Sequence, residues 1–288
     1  MKLITILLLL TGMIPALLHA QDDDHDHNHR NCGYERNISR LEMNDPGFAA
    51  RRAKIEQDMQ RWIENHDPEL RDGKTVYSIP VVVHVLYYNA TQNISHARII
   101  EQINSLNIDF RKQNADTSQL PGPFASYAAD IQLEFCLATM DPNGNWTNGV
   151  TRTQVSKTSY SFSEENKIKY SSQGGHDAWD ANSYLNIWVC NLTGGLLGYT
   201  QPPGGPAATD GVVVSYKYFG LTGALPPFNK GRTLTHEVGH WFNLIHPWGD
   251  DGGACWGDDF VSDTPNSYDA FYGCPSFPQT DACTSTNP

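Results

Sequence analysis

Apolar residues are spread unevenly along the 288-residue chain. A near-continuous apolar run fills Leu3 to Leu10, and polar residues dominate from Gln21 to about Thr75. The pattern changes at SIPVVVHVLYYN, which starts at Ser78 and is rich in β-branched and aromatic residues. Such a run reads as a buried strand. In the next stretch, SHARIIEQINSLNIDFRKQN, Ile99, Ile103, Leu106 and Phe110 recur at helical spacing behind Ser95. This predicts an amphipathic helix with one buried face and a serine N-cap. DIQLEFCLAT (130–139) alternates as a strand does, and YLNIWVCNL (184–192) and GVVVSY (211–216) are further strands. The Gly/Pro-rich stretch 194–210 reads as a loop with a short edge strand at Leu196 to Thr200. Strand, helix, then several strands predicts an α/β layer on a mostly parallel or mixed sheet.

Composition adds a location. Lys2, the apolar run and Leu18-His19-Ala20 have the form of a secretory signal peptide cut after Ala20. The run is shorter than the roughly 20 residues that span a bilayer, so no membrane partner is expected. QDDDHDHNH (21–29) is an acidic, His-rich leader, expected to be solvated. Residues 40–72 are helix-permissive and offer Arg51, Arg52, Lys54, Arg61 and Arg71 to proteases. The expected divisions are 1–20 signal, 21–75 leader and 76–288 folded domain, with the last boundary near Gly73 to Val76. A net charge of −12 and the lack of a Lys/Arg cluster argue against nucleic acid. Secretion permits disulfides among the six cysteines.

The chemistry is concentrated in HEVGHWFNLIH, His236 to His246. Leu234, Val238, Trp241 and Phe242 give a helix an apolar face, and Thr233 or Thr235 can cap it. His236 and His240 then point off the same face, one turn apart. Two imidazoles so placed suit zinc, which needs a third protein ligand and an open position for catalysis. His246 is the natural third ligand and Asp250 its rival. Asn243 tolerates the positive φ needed to end the helix and bring His246 back. Glu237 is placed to take a proton from a metal-activated water rather than to ligate. His84, inside a strand, reads as a packed core histidine. A zinc-binding module that had lost catalysis would lack Glu237 or a ligand, and all four are present. A zinc hydrolase for a non-peptide bond stays open as an alternative.

With Asn243 where glycine is more usual, this stretch resembles the long zinc motif of the metzincin metallopeptidases, HExxHxx(G/N)xxH. More closely, the chain resembles the pappalysin (cytophagalysin) family of secreted proteases over residues 76 to 288. The resemblance rests on IPVVVHVLY, LNIWVCNL, GYTQPP, DGVVVSYKYFG, GRTLTHEVGHWFNLIHPWGD, SDTP and GCPSFP. It implies a metzincin-like catalytic domain with a twisted mixed sheet plus backing and active-site helices. Residues 76–246 would form an upper subdomain and 247–288 part of an irregular lower one. The implied activity is a zinc endopeptidase acting on protein or peptide substrates, held latent by its own propeptide. Zinc would sit on His236, His240 and His246, with Glu237 as base and the edge strand near Leu196 to Thr200 aligning the substrate. Within RNCG, Arg30 to Gly33, Cys32 would fill the open zinc position in the latent form; a plain disulfide role for Cys32 is the alternative.

The resemblance also implies calcium in the loop 257–265, on Asp259, Asp263 and Thr264 with Asp258 nearby. It pairs Cys255 with Cys283, and Cys274 with a cysteine beyond this chain. Cys136 and Cys190 are either buried thiols or a pair. The family's methionine turn is not matched, because no methionine follows Met140. The expectation is that the chain stops short of it.

Overall fold

The computed structural model describes residues 31–66, 75–250, 252–262, 264–273 and 275–283. The signal peptide, the His-rich leader, Arg30, the boundary at Gly73, Asp263 and Cys274 lie outside the described residues.

Strand β1 (Tyr77–Tyr87) is the spine of a six-stranded mixed sheet. Its first half pairs in parallel with β2 (Leu133–Leu137), with Tyr77 opposite Leu133. Its second half pairs on the same edge with β3 (Val150–Gln154). On the other side lie β4 (Leu185–Cys190) and then β6 (Val212–Ser215), both parallel, and β5 (Gly198–Thr200) closes the edge antiparallel to β6.

Residues Val81 to Leu86 are all buried, because both faces of the sheet are covered. On one face Val81, Val83 and Val85 join Leu185, Ile187, Val189, Val212 and Val214. Helix α3 (His96–Phe110) lays Ile99, Ile103, Leu106 and Phe110 on that layer, and α5 (Arg232–Trp241) adds Leu234 and Val238. Ser95 caps α3 as expected, its hydroxyl accepting from Arg98 N at 3.2 Å. On the opposite face Leu86, Trp188, Cys190, Tyr199 and Val213 pack with Tyr160, Leu192 and Ile168, the last from the short α4 (Asn166–Lys169). His84 sits fully buried among them, between Thr151 Oγ1 at 2.8 Å and Asn186 Oδ1 at 3.1 Å.

The N-terminal segment folds as α1 (Tyr34–Asn44) and α2 (Phe48–Asn65). Just before α1 it runs in parallel along β5. Leu197 N donates to Asn31 O at 3.0 Å, and Gly33 N donates to Gly198 O at 2.9 Å.

Two expectations need correction. Neither Thr233 nor Thr235 caps α5. The cap is Gly231 at φ 74°, where an added Cβ would lie 2.6 Å from Ser105 Oγ, so α5 starts hard against α3. Thr235 instead donates to Asp109 Oδ2 at 2.8 Å. Cys136 and Cys190 are both free, but Cys136 is exposed on β2 while Cys190 is buried in β4. Beyond α5 the described residues carry no further helix, and Cys255 is joined to Cys283.

Candidate metal centre

Helix α5 presents His236 and His240 one turn apart. Asn243 adopts φ 73°, its N–H bonded to His240 O at 2.9 Å, and Leu244 N bonds Gly239 O at 3.0 Å. These bonds end the helix and return the chain so that His246 faces the same point. The three Nε2 atoms lie 3.0, 3.1 and 3.4 Å apart. Cys32 Sγ, delivered by the segment paired with β5, lies 3.7 Å from His240 Nε2.

The remaining ring nitrogens fix what these donors are. His240 Nδ1 donates to Leu244 O at 2.7 Å, and His246 Nδ1 donates to Asp250 Oδ1 at 2.6 Å. Each ring is thus left with Nε2 as its atom facing the cluster, and the convergence of these nitrogens suits a cation between them. Zinc sits about 2.0 Å from nitrogen and about 2.3 Å from sulfur in a tetrahedral shell. Such a shell separates its nitrogens by about 3.3 Å, and nitrogen from sulfur by about 3.6 Å. The donor set fits zinc in kind, number and spacing. Burial and the Glu237 carboxylate both push the Cys32 thiol well up, and only a cation at the centre would reverse that. Asp250, read from sequence as a rival ligand, sits behind His246 and orients it.

Glu237 is buried beside the cluster. Thr200 Oγ1 lies 2.9 Å from its Oε2 and 2.7 Å from its carbonyl. The glycine at 198 allows this approach: a Cβ there would stand 3.0 Å from Glu237 Cγ and 2.8 Å from Val213 O. The helix carrying Glu237 thus rests directly under the edge strand.

The N-terminal segment fills the space in front. The Tyr34 ring stacks on His240 at 3.9 Å between centroids and 7° between planes. Asn37 Nδ2 donates to Thr200 O at 2.7 Å, and Glu56 of α2 accepts from Asn243 Nδ2 at 3.0 Å. Burial, with the adjacent Asp250, pushes Glu35 up to about 7. On the far side Trp248 stacks on His246 at 4.3 Å.

In the loop expected to hold calcium, Asp259 is nearly buried and its Oδ1 accepts from Val261 N at 3.0 Å, while Thr264 N bonds Val261 O. Among the described residues, Asp259 joins no group of three ligating side chains.

Residues 169–282 match the peptidase family described as pregnancy-associated plasma protein-A. An extracellular metalloprotease of Arthroderma benhamiae is 30% identical over 217 residues, 72% of this chain and 64% of that protein. The chain thus spans somewhat less than two thirds of the length of this relative. Two solved structures are closer in sequence. Mature mirolysin of Tannerella forsythia with a cleaved peptide is 53% identical, covering 74% of this chain and 81% of that one, at a TM-score of 0.72. A mutant of promirolysin from the same organism is 48% identical, covering 89% and 83%, at a TM-score of 0.79. The chain belongs to the pappalysin-type metallopeptidases.

The metzincin-like fold class expected from sequence holds, since these pappalysin-type neighbours share the mixed sheet and helices. Sequence reasoning missed four residues around the pappalysin motif: Tyr34 on His240, Thr200 on Glu237, Asn37 on the edge strand, and Asp250 in its orienting role. Only Asp250 carried a usable signal, an acid four residues after His246.

Proposed function

We propose that this chain is a secreted zinc endopeptidase held latent by its own N-terminal segment. The observation that carries the reading is the four-donor cluster with Glu237 beside it, under an edge strand whose backbone can bind an extended chain. Zinc, when bound, supplies Lewis acidity toward a carbonyl oxygen and lowers the pKa of water. His236, His240 and His246 would hold it, oriented in part by Leu244 O and Asp250. The Glu237 carboxylate, positioned by Thr200, takes a proton from the attacking water and passes it to the departing amine.

Substrate binding follows from β5. Leu197 N, Gly198 O and Thr200 O are main-chain groups at a sheet edge, and in this state they are taken by Asn31, Gly33 and Asn37. An extended peptide would use the same groups as an added strand. Latency follows from the same occupancy. Cys32 takes the fourth donor position, Tyr34 covers His240, and α2 is fastened at Asn243. The signal peptide (1–20), a propeptide over 21–75 and a catalytic domain over 76–288 are the divisions this reading implies. Relatives named extracellular metalloproteases, and the absence of a membrane-crossing helix among the described residues, support secretion. A second, calcium site on Asp259, Asp263 and Thr264 is supported by the near burial of the Asp259 carboxylate, which raises its pKa.

The test is cleavage of a denatured protein by residues 21–288, loaded with zinc and nicked with trypsin. Cleavage that a chelator stops and Glu237→Ala abolishes is expected. Zinc binding with no cleavage in the nicked chain would reject the endopeptidase reading for this chain.

A further inference from the structure

Helix α5 carries His236, Glu237 and His240, and apolar contact alone does not hold it in place. Leu234 and Val238 bury it on the sheet, but such burial has no direction and lets a helix turn or slide slightly. Hydrogen bonds do fix direction. At its first turn α5 is pinned from the side of α3. Thr235 bonds Asp109, and Arg232 Nη1 donates to Asp116 Oδ2 at 2.7 Å. At its last turn the pin is Asp210. Trp241 Nε1 donates to Asp210 Oδ1 at 2.8 Å, and Trp241 is the residue after His240.

Asp210 closes the connection between β5 and β6, which opens just after Thr200. Thr200 holds Glu237 O, and Glu237 and Trp241 lie one turn apart on the same face of α5. The connection thus leaves the edge strand on one turn of the helix and returns on the next. It is braced in between. Gln201 Nε2 donates to Pro206 O at 2.9 Å, and Thr209 Oγ1 donates to Gln201 Oε1 at 2.5 Å. From the far face of the sheet, the fully buried Lys169 donates through Nζ to Thr209 O at 2.6 Å, and its charge lies near the Asp210 carboxylate. A carboxylate held this way is a stiff acceptor, and the indole bond to it is charge-assisted.

The connection is therefore a bracket between β5 and α5. His236, Glu237 and His240 lie on α5 and His246 on its return, so a shift of the helix moves all four together. What such a shift alters is their register with the chain that lies along β5. In the present state that chain brings Cys32 to the cluster.

We propose that Asp210 is a positioning residue: through the Trp241 indole it sets the register between the metal-site helix and the edge strand. This rests on the endopeptidase reading, since it takes substrate to lie along β5.

The experiment uses the nicked, zinc-loaded chain and a fluorogenic peptide copied from a cleavage site in the denatured protein. Asp210→Ala should lower kcat about tenfold, because a misplacement of a fraction of an ångström is enough for that. KM and zinc affinity, read by chelator competition, should stay nearly unchanged. Trp241→Phe should match it, and the double variant should be no slower than either. Asp210→Asn keeps an acceptor oxygen for the indole and should restore the wild-type kcat. An unchanged kcat in Asp210→Ala would overturn the proposal. So would a loss of zinc affinity as large as the loss of kcat, or an Asn variant as slow as the Ala variant.

If the wild type cleaves no peptide, the endopeptidase reading fails, and the register is read on the uncut, zinc-loaded chain. There the readout is alkylation of Cys32, located by peptide mass. Asp210→Ala and Trp241→Phe should each speed it about tenfold, and Asp210→Asn should not. Cys190, buried in β4, should stay unlabelled throughout. A Cys32 rate unchanged in both variants would overturn the proposal on this arm. Labelling of Cys190 would overturn it too, since that marks a general loosening of the sheet.

Discussion

Thr200 has one hydroxyl hydrogen and two acceptors in reach, both on Glu237. That hydroxyl directly links the edge strand to Glu237. A hydrogen bond to a charged group contributes about 1.5–3 kcal/mol. Thr200→Val should therefore lower kcat about tenfold while leaving KM and zinc content nearly unchanged. Lost zinc would instead mean that Thr200 serves the cluster as a whole. Asp250 acts one atom further out, on His246 Nδ1. Removing such a partner typically weakens metal binding about 10–100-fold. Asp250→Ala should show this in competition with a chromogenic chelator, and unchanged affinity would reject the orienting role. The histidines were legible because helical periodicity is local. The part played by Thr200 was not, because 37 residues separate it from Glu237 and only the sheet brings them together.

At the scale of elements, β1, β2, β4, β6 and α3 follow from apolar runs, side-chain alternation and helical spacing, and the structure moves their ends by only a few residues, whereas β3 was not read from the sequence. The edge strand Gly198–Thr200 lies within the expected Leu196 to Thr200, and Leu197 continues its bonding to β6 and to the N-terminal segment. The start of α5 was misread because a threonine cap is a local preference. Here the close crossing of α3 decides, and only glycine fits at 231. Gly231→Ala adds a Cβ at positive φ against Ser105 and Gln102, and should cost about 1–3 kcal/mol. A drop in Tm of the zinc-free chain measures it. A Tm equal to wild type would mean that α3 and α5 can part without cost.

Over the whole molecule, the sheet buries a histidine that must stay neutral. Burial and the nearby His176 push His84 down to about 3. A base whose folded pKa lies below its unfolded value, about 6.5, takes up a proton on unfolding. Its contribution is thus intact above about pH 6.5 and is lost progressively as pH falls toward 3. Tm measured across pH 7 to 4 should fall more steeply in wild type than in His84→Gln. The difference between the two curves isolates His84 from the other histidines, which both proteins share. Parallel curves would rule it out.

The connection between α2 and β1 gives the pairing of Cys32 with the cluster a particular character. The thiol and His240 are 208 residues apart, yet they belong to one chain. The thiol's effective concentration at the cluster is therefore set by a tether, on the order of millimolar or above for a short one. Cutting one peptide bond between Asn65 and Tyr77 removes no contact described above. It does turn an intramolecular equilibrium into a bimolecular one, so simple dilution decides whether the site stays filled.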